Sequence, residues 1–256
     1  MVVELERHGD IAVLYLNDLR RKNALSTALV EALIGCLAET RGGDNPARAI
    51  VISNRGDDFC AGADIKDMLA TGWLENDAAS RTAPTPVDLF RIIDRERRPV
   101  IAAVQGLVLG GGVELATVCD LVVAETSTTF RLPEIGLGVL PNTALSRLPA
   151  IIGARRTAEL ILTRRKWTAE EASVMGFVSS IVSRDDLVAA AVRMARSIIR
   201  GAPPVAIAGV KAGLRADDWE RTDRLLDLMD GDEWREGTSA FAEKRKPDYE
   251  QFWRTK

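Results

Sequence analysis

Glu114 stands two residues beyond the run Gly110-Gly111-Gly112, so a carboxylate and a stretch of unobstructed backbone N–H groups share one short segment. Glycine has no Cβ, which lets the main chain come close to a bound molecule. The helix predicted from Val113 to about Val118 aims its positive end at the same place. Fixed N–H donors beside an acid suit a carbonyl oxygen that gains negative charge during a reaction. Taken alone, three glycines are explained equally well as a tight strand-to-helix turn. Two further segments add to the chemistry. Phe59-Cys60-Ala61-Gly62-Ala63-Asp64-Ile65-Lys66 again runs through small residues into a predicted helix and offers a second backbone donor. Phe130-Arg-Leu-Pro133-Glu134-Ile-Gly136-Leu-Gly138 sets a second carboxylate in a loop punctuated by glycine and proline.

Other chemistries are excluded by what the chain lacks. A hydrolase of the Ser-His-Asp kind needs a base. The single histidine, His8, is read as lying before the first strand, and no Gly-x-Ser-x-Gly turn occurs. Cys36, Cys60 and Cys119 are 24 and 59 residues apart with no histidine nearby, so no metal site is expected. An odd cysteine count without paired spacing predicts a reducing compartment and no structural disulfide. Gly110-Gly-Gly-Val-Glu-Leu and Gly136-Leu-Gly-Val-Leu-Pro141 half-match a dinucleotide fingerprint, but each lacks the third glycine, and a nicotinamide cofactor is not expected.

The elements that must position these groups are legible as alternating patterns. Short β-like runs at 11–16, 49–53, 100–104 and 120–124 are separated by helical periodicity, clearest from Thr27 to Thr40, which Ser26 or Thr27 can cap. This predicts an α/β fold. The polar segment Ala70 to Pro86 precedes a helix predicted at Val87 to Glu96, and Trp73 and Leu74 within it are candidates for shaping a pocket. From about Ile199 the chain reads as helical, with Pro203-Pro204 opening one helix and Lys246-Pro247 closing another. With 256 residues, 46% of them hydrophobic, the chain can bury a large core. Its 34 basic and 37 acidic residues, net −3, argue against a dominant nucleic-acid or anionic-membrane surface. The N-terminus does not read as a signal peptide, and no run approaches the roughly 20 apolar residues of a membrane span. A cytoplasmic protein is expected.

With these residues in view, the chain resembles the enoyl-CoA hydratase/isomerase, or crotonase, superfamily. The supporting motifs occur in the family's order: Arg21-Lys22-Asn23-Ala24-Leu25, the Phe59–Lys66 block, Gly106 to Asp120, Leu132 to Pro141, and Glu236 to Lys246. The resemblance implies a crotonase-like spiral of repeated ββα units over 1–195 and a helical C-terminal trimerisation region over 196–256. It implies that the backbone N–H groups of Ala63 and Gly111 form an oxyanion hole for a thioester carbonyl. It further implies that Glu114 holds and deprotonates the attacking water while Glu134 supplies a proton to Cα. Two carboxylates placed close together repel, and a coupled titration is expected of them.

Coenzyme A, carried by the substrate and so the only cofactor chemistry implied, is expected along Lys22, Ala24, Ala61, Asp64, Ile65 and Lys66. Phe241 and Lys244 match terminal-helix positions that reach the ligand of a neighbouring subunit, in a homotrimer or a dimer of trimers. The chain departs from the family after Pro141, where Asn142-Thr-Ala-Leu-Ser146-Arg-Leu148 replaces a glycine-rich turn. Asn142 still has a backbone N–H for a water and tolerates left-handed conformations. Three readings follow in order: a 2-enoyl-CoA hydratase using both glutamates, a double-bond isomerase using Glu134 alone, and a CoA-thioester-binding subunit with little activity.

Overall fold

The protein is described here from a computed structural model, which covers residues 1–42, 45–71, 73, 83–202, 204–214 and 232–248. Runs of β-branched and aliphatic residues form strands that divide between two sheets. In chain order these are β1 (Val3–His8), β2 (Ile11–Leu16), β3 (Ala49–Asn54), β4 (Val100–Val104), β5 (Leu107–Leu109), β6 (Leu121–Glu125), β7 (Thr129–Arg131), β8 (Trp167–Thr168) and β9 (Ser180–Val182). The larger sheet has the order β1-β2-β3-β4-β6-β9 and the smaller the order β5-β7-β8. From β2 to β9 the large sheet is parallel, while β1 runs antiparallel to β2. All residues of β2, β3 and β4 are buried, as a parallel sheet covered on both faces requires.

The helices are α1 (Thr27–Glu39), α2 (Ile65–Ala70), α3 (Pro86–Asp94), α4 (Gly111–Val118), α5 (Asn142–Ile152), α6 (Ala154–Thr163), α7 (Ala169–Val174), α8 (Leu187–Gly201), α9 (Pro204–Leu214) and α10 (Asp232–Ala242). Ser26 Oγ accepts the Leu29 N–H at 3.3 Å and starts α1. Thr85 and Asp88 form a reciprocal capping box on α3. One face of the large sheet packs on α1, α3 and α4 through residues such as Leu14, Ile50, Ile52 and Ala102. The alternate residues Ile11, Val13, Val51, Ile101 and Val123 face Leu187, Ala191 and Ala195 of α8, the period of two expected for a strand.

Strand pairs β4–β5 and β6–β7 each send their first member to the large sheet and their second to the small one before a helix follows. This is the repeated ββα pattern. The first pair departs from it, since β1 and β2 lie side by side in the same sheet.

Several boundaries differ from expectation. His8 lies inside β1, paired with Ile11, and not ahead of the first strand. The alternation Val3-Glu-Leu-Glu belongs to an edge strand with one polar face, a weaker signal than the buried runs. Helix α8 begins at Leu187, ahead of the helical region expected from Ile199, and the division at 195/196 falls within this single helix. Helix α10 ends at Ala242, before Lys246-Pro247, with Lys244 beyond it in a left-handed conformation at φ 56°. Leu74 and Pro203 lie outside the described residues. No described helix is long and apolar enough to cross a membrane.

Candidate active site

The site is built where the small sheet meets α4. Gly110, the residue before α4, has φ 53° and ψ −119°, a region that residues with a Cβ avoid. A Cβ there would also lie 2.7 Å from Glu134 Oε1. Glycine at 110 is therefore required twice, once by the turn and once by the acid that approaches it. Gly111 opens α4 beside the 61–66 loop, and a Cβ on it would sit 3.4 Å from the Ala63 nitrogen. That loop is held in place by its neighbours. The Ala61 N–H donates to Lys22 O at 3.0 Å, and the Leu25 N–H donates to Gly62 O at 2.7 Å. Among the described residues neither the Ala63 N–H nor the Gly111 N–H donates a backbone hydrogen bond, and both residues line a cavity of about 430 Å³. Two adjacent unused donors facing a cavity can bind a carbonyl oxygen that becomes negative.

Both candidate acids line the same cavity, and their surroundings differ. Glu114 lies in the first turn of α4 and its Oε1 accepts the N–H groups of Thr143 at 2.8 Å and Ala144 at 3.2 Å. Those are free donors of the first turn of α5, so the carboxylate acts as the cap that α5 otherwise lacks. Burial pushes the Glu114 carboxyl up to about 7, with the two N–H groups pulling it down. Glu134 opens a 3-10 turn, Glu134–Leu137. Its two carboxylate oxygens are sealed from solvent and accept no hydrogen bond from the described residues. Burial, and then the charge of Glu114, push it up to about 8. Two acids held within reach of each other's charge in an apolar cavity titrate as a pair, so near neutrality one of them carries a proton and the other can take one.

The other expected residues divide between the wall and the rim. Ala61, Ile65, Asn142 and Phe241 line the cavity with the acids and donors, whereas Lys22, Ala24, Asp64, Lys66 and Lys244 do not. Lys22 is exposed and pairs with Asp58 at 3.1 Å. Asp64 caps α2 by accepting the N–H groups of Lys66 and Asp67 and pairs with Arg21 at 3.1 Å. Lys66 and Lys244 point into solvent. Asn142 is the first residue of α5, in right-handed helix and not in a left-handed turn. Phe241 stands against the cavity of its own chain.

Sequence reasoning missed the N–H groups of Thr143 and Ala144. The helix that carries them starts after Pro141, contains Pro149 and has no side-chain cap, so its signals were weak. It also passed over Arg131 and Arg164, which line the cavity, although Arg131 stood inside the segment that contains Glu134. Trp73, Met68, Val87, Phe90 and Leu140 give the cavity apolar lining.

A mevalonyl-coenzyme A hydratase of Aspergillus fumigatus is 38% identical over 212 residues, 78% of this chain and 76% of its own. A 2,3-dehydroadipyl-CoA hydratase of Escherichia coli is 33% identical over 254 residues, 96% of this chain and 97% of its own. The crystal structure of an enoyl-CoA hydratase/isomerase from Pseudoalteromonas atlantica superposes with a TM-score of 0.82 at 26% identity, covering 97% of this chain and all of the other. The family profile described as Enoyl-CoA hydratase/isomerase matches residues 6–252, which takes in both donor turns and both acids, and the chain belongs to that family.

Proposed function

We propose that this protein is an enoyl-CoA hydratase, adding water across the 2,3 double bond of a 2-enoyl-CoA thioester. The observation that carries this reading is the unequal support of two buried carboxyls in one cavity. Glu114 is held by two backbone donors, and Glu134 has none. In the proposed reaction the Glu114 carboxylate takes a proton from water as the oxygen bonds to Cβ. The electron pair of the double bond moves to the thioester oxygen, which the N–H groups of Ala63 and Gly111 receive. Protonated Glu134 gives its proton to Cα, and the proton held by Glu114 passes back to Glu134 to restore the pair. A single acid would have to serve as donor and acceptor at opposite ends of one double bond. The acyl chain would lie toward Met68, Trp73 and Phe90. The CoA moiety would follow the 61–66 loop and the turn at Lys22.

Incubation with 2-enoyl- and 3-enoyl-CoA thioesters in H₂¹⁸O, followed by mass spectrometry, tests this. Incorporation of ¹⁸O into a 3-hydroxyacyl-CoA is expected. Conversion of 3-enoyl thioesters without ¹⁸O, by a protein in which Glu114→Gln is silent, would replace hydration with double-bond isomerisation.

A further inference from the structure

Arg131 and Arg164 face the cavity that holds Glu134, and among the described residues neither guanidinium takes part in an ion pair. Acids for arginines are present nearby, since the adjacent Arg165 pairs with both Glu159 and Glu171. Arg131 ends β7 beside the donor turn, its carbonyl accepting the Gly110 N–H at 2.9 Å. Its Nε donates to the Arg164 carbonyl at 2.7 Å. That bond orients the fork and leaves the two terminal nitrogens for another partner. Arg164 ends α6 in a left-handed conformation, φ 55° and ψ 23°, at a position where glycine avoids a cost of about 1 kcal/mol. Its guanidinium lies against Gly136, where a Cβ would meet Nη1 at 2.7 Å. The backbone thus accepts strain at Arg164, a glycine clears the space for its guanidinium, and a hydrogen bond ties the Arg131 guanidinium to the Arg164 main chain. Two cations lining one cavity favour an anion there, and guanidinium forks match the oxygens of carboxylate or phosphate.

We propose that Arg131 and Arg164 form an anion-binding subsite of the substrate cavity, taking an anionic group of the bound thioester. That group is either a carboxylate at the far end of the acyl chain or a phosphate of coenzyme A. The proposal rests on the reading of the cavity as a CoA-thioester site, and it concerns binding, so it is tested without turnover.

Titration calorimetry would compare wild type with the Arg131→Gln/Arg164→Gln double variant. The probes are hexanoyl-CoA, its carboxylate-ended counterpart adipyl-CoA, and the hexanoyl thioester of pantetheine, which has no phosphate. A rise in Kd of about tenfold or more, the loss expected for a charged hydrogen bond, is predicted for the probe whose anion is bound. A loss confined to adipyl-CoA identifies the acyl carboxylate. An equal loss for both CoA thioesters, with the pantetheine thioester unaffected, identifies a phosphate. Unchanged affinity for all probes overturns the subsite, as does an equal loss that includes the pantetheine thioester. Arg164→Gly suits the left-handed conformation and should fold at least as well as wild type, so a loss of affinity in it cannot come from unfolding. Binding without turnover of any enoyl thioester would overturn the hydratase reading and leave the subsite standing. Failure of wild type to bind any probe would overturn both.

Discussion

The two walls of the cavity hold the same functional group by opposite means. On one wall Glu114 is tied to the first turn of α5 by two N–H groups. On the other, Glu134 approaches a glycine turn and meets no donor among the described residues. The contrast shows how a fold differentiates two chemically identical side chains. Backbone donors favour the ionised form of one, and burial beside the first charge favours the protonated form of the other. The two carboxyls are thus distinguished by helix ends and glycines, which no inspection of the two side chains alone would show.

The strongest way to break the comparison is to remove each carboxyl in turn. Glu114→Gln and Glu134→Gln are each expected to lower kcat/KM for a 2-enoyl-CoA by about a thousandfold, with affinity for a saturated acyl-CoA changed only a few-fold. A large loss in one variant alone would mean that the two walls do not share the reaction. Next in size is Gly110→Ala, in which the new methyl meets Glu134 Oε1 in a disfavoured backbone region. A loss of roughly 10- to 100-fold is expected. Gly111→Ala, with looser contacts of 3.0 Å to Leu25 Cδ1 and 3.4 Å to the Ala63 nitrogen, should cost only a few-fold. Equal effects at 110 and 111 would deny that the acid wall is the more closely fitted one.

The pH dependence sharpens the same contrast. In the proposed reaction the active form has Glu114 ionised and Glu134 protonated, so kcat/KM should be bell-shaped. The rate rises as the pair loses its first proton near 7 and falls as it loses the second near 8. Glu114→Gln should abolish the rising limb. A smaller effect is expected on stability. Both folded carboxyls lie above their unfolded value of 4.5, so the folded state binds more protons. The stability this provides is complete below about 4.5 and is lost as pH rises through 7 to 8. Thermal unfolding of Glu134→Gln, which has no carboxyl to ionise there, should gain on wild type as pH is raised from 5 to 9. A Tm gap that stays constant across this range would contradict the burial of the charge.

The buried strands and the two donor turns were readable because their signals are local. Runs such as Ile11–Leu16 and Val100–Val104 show both-face burial directly in their composition, and the glycines of 110–112 mark a turn into a helix. Glu134 was found as a residue, but its lack of donors depends on packing from segments distant in sequence. Helix α5 was not expected because its starting cap comes from Glu114, a residue of another element, while Pro149 within it argues against a helix. The rim arginines were passed over for a similar reason. Arg131 and Arg164 are joined by a bond across 33 residues, and nothing in the local pattern around either one announces it.

Phe241 of α10 completes the wall of a cavity whose other lining residues begin at Ala61. During synthesis both candidate acids and both donor turns emerge long before this last helix. The wall of the cavity is therefore complete only after nearly all of the polypeptide has been made.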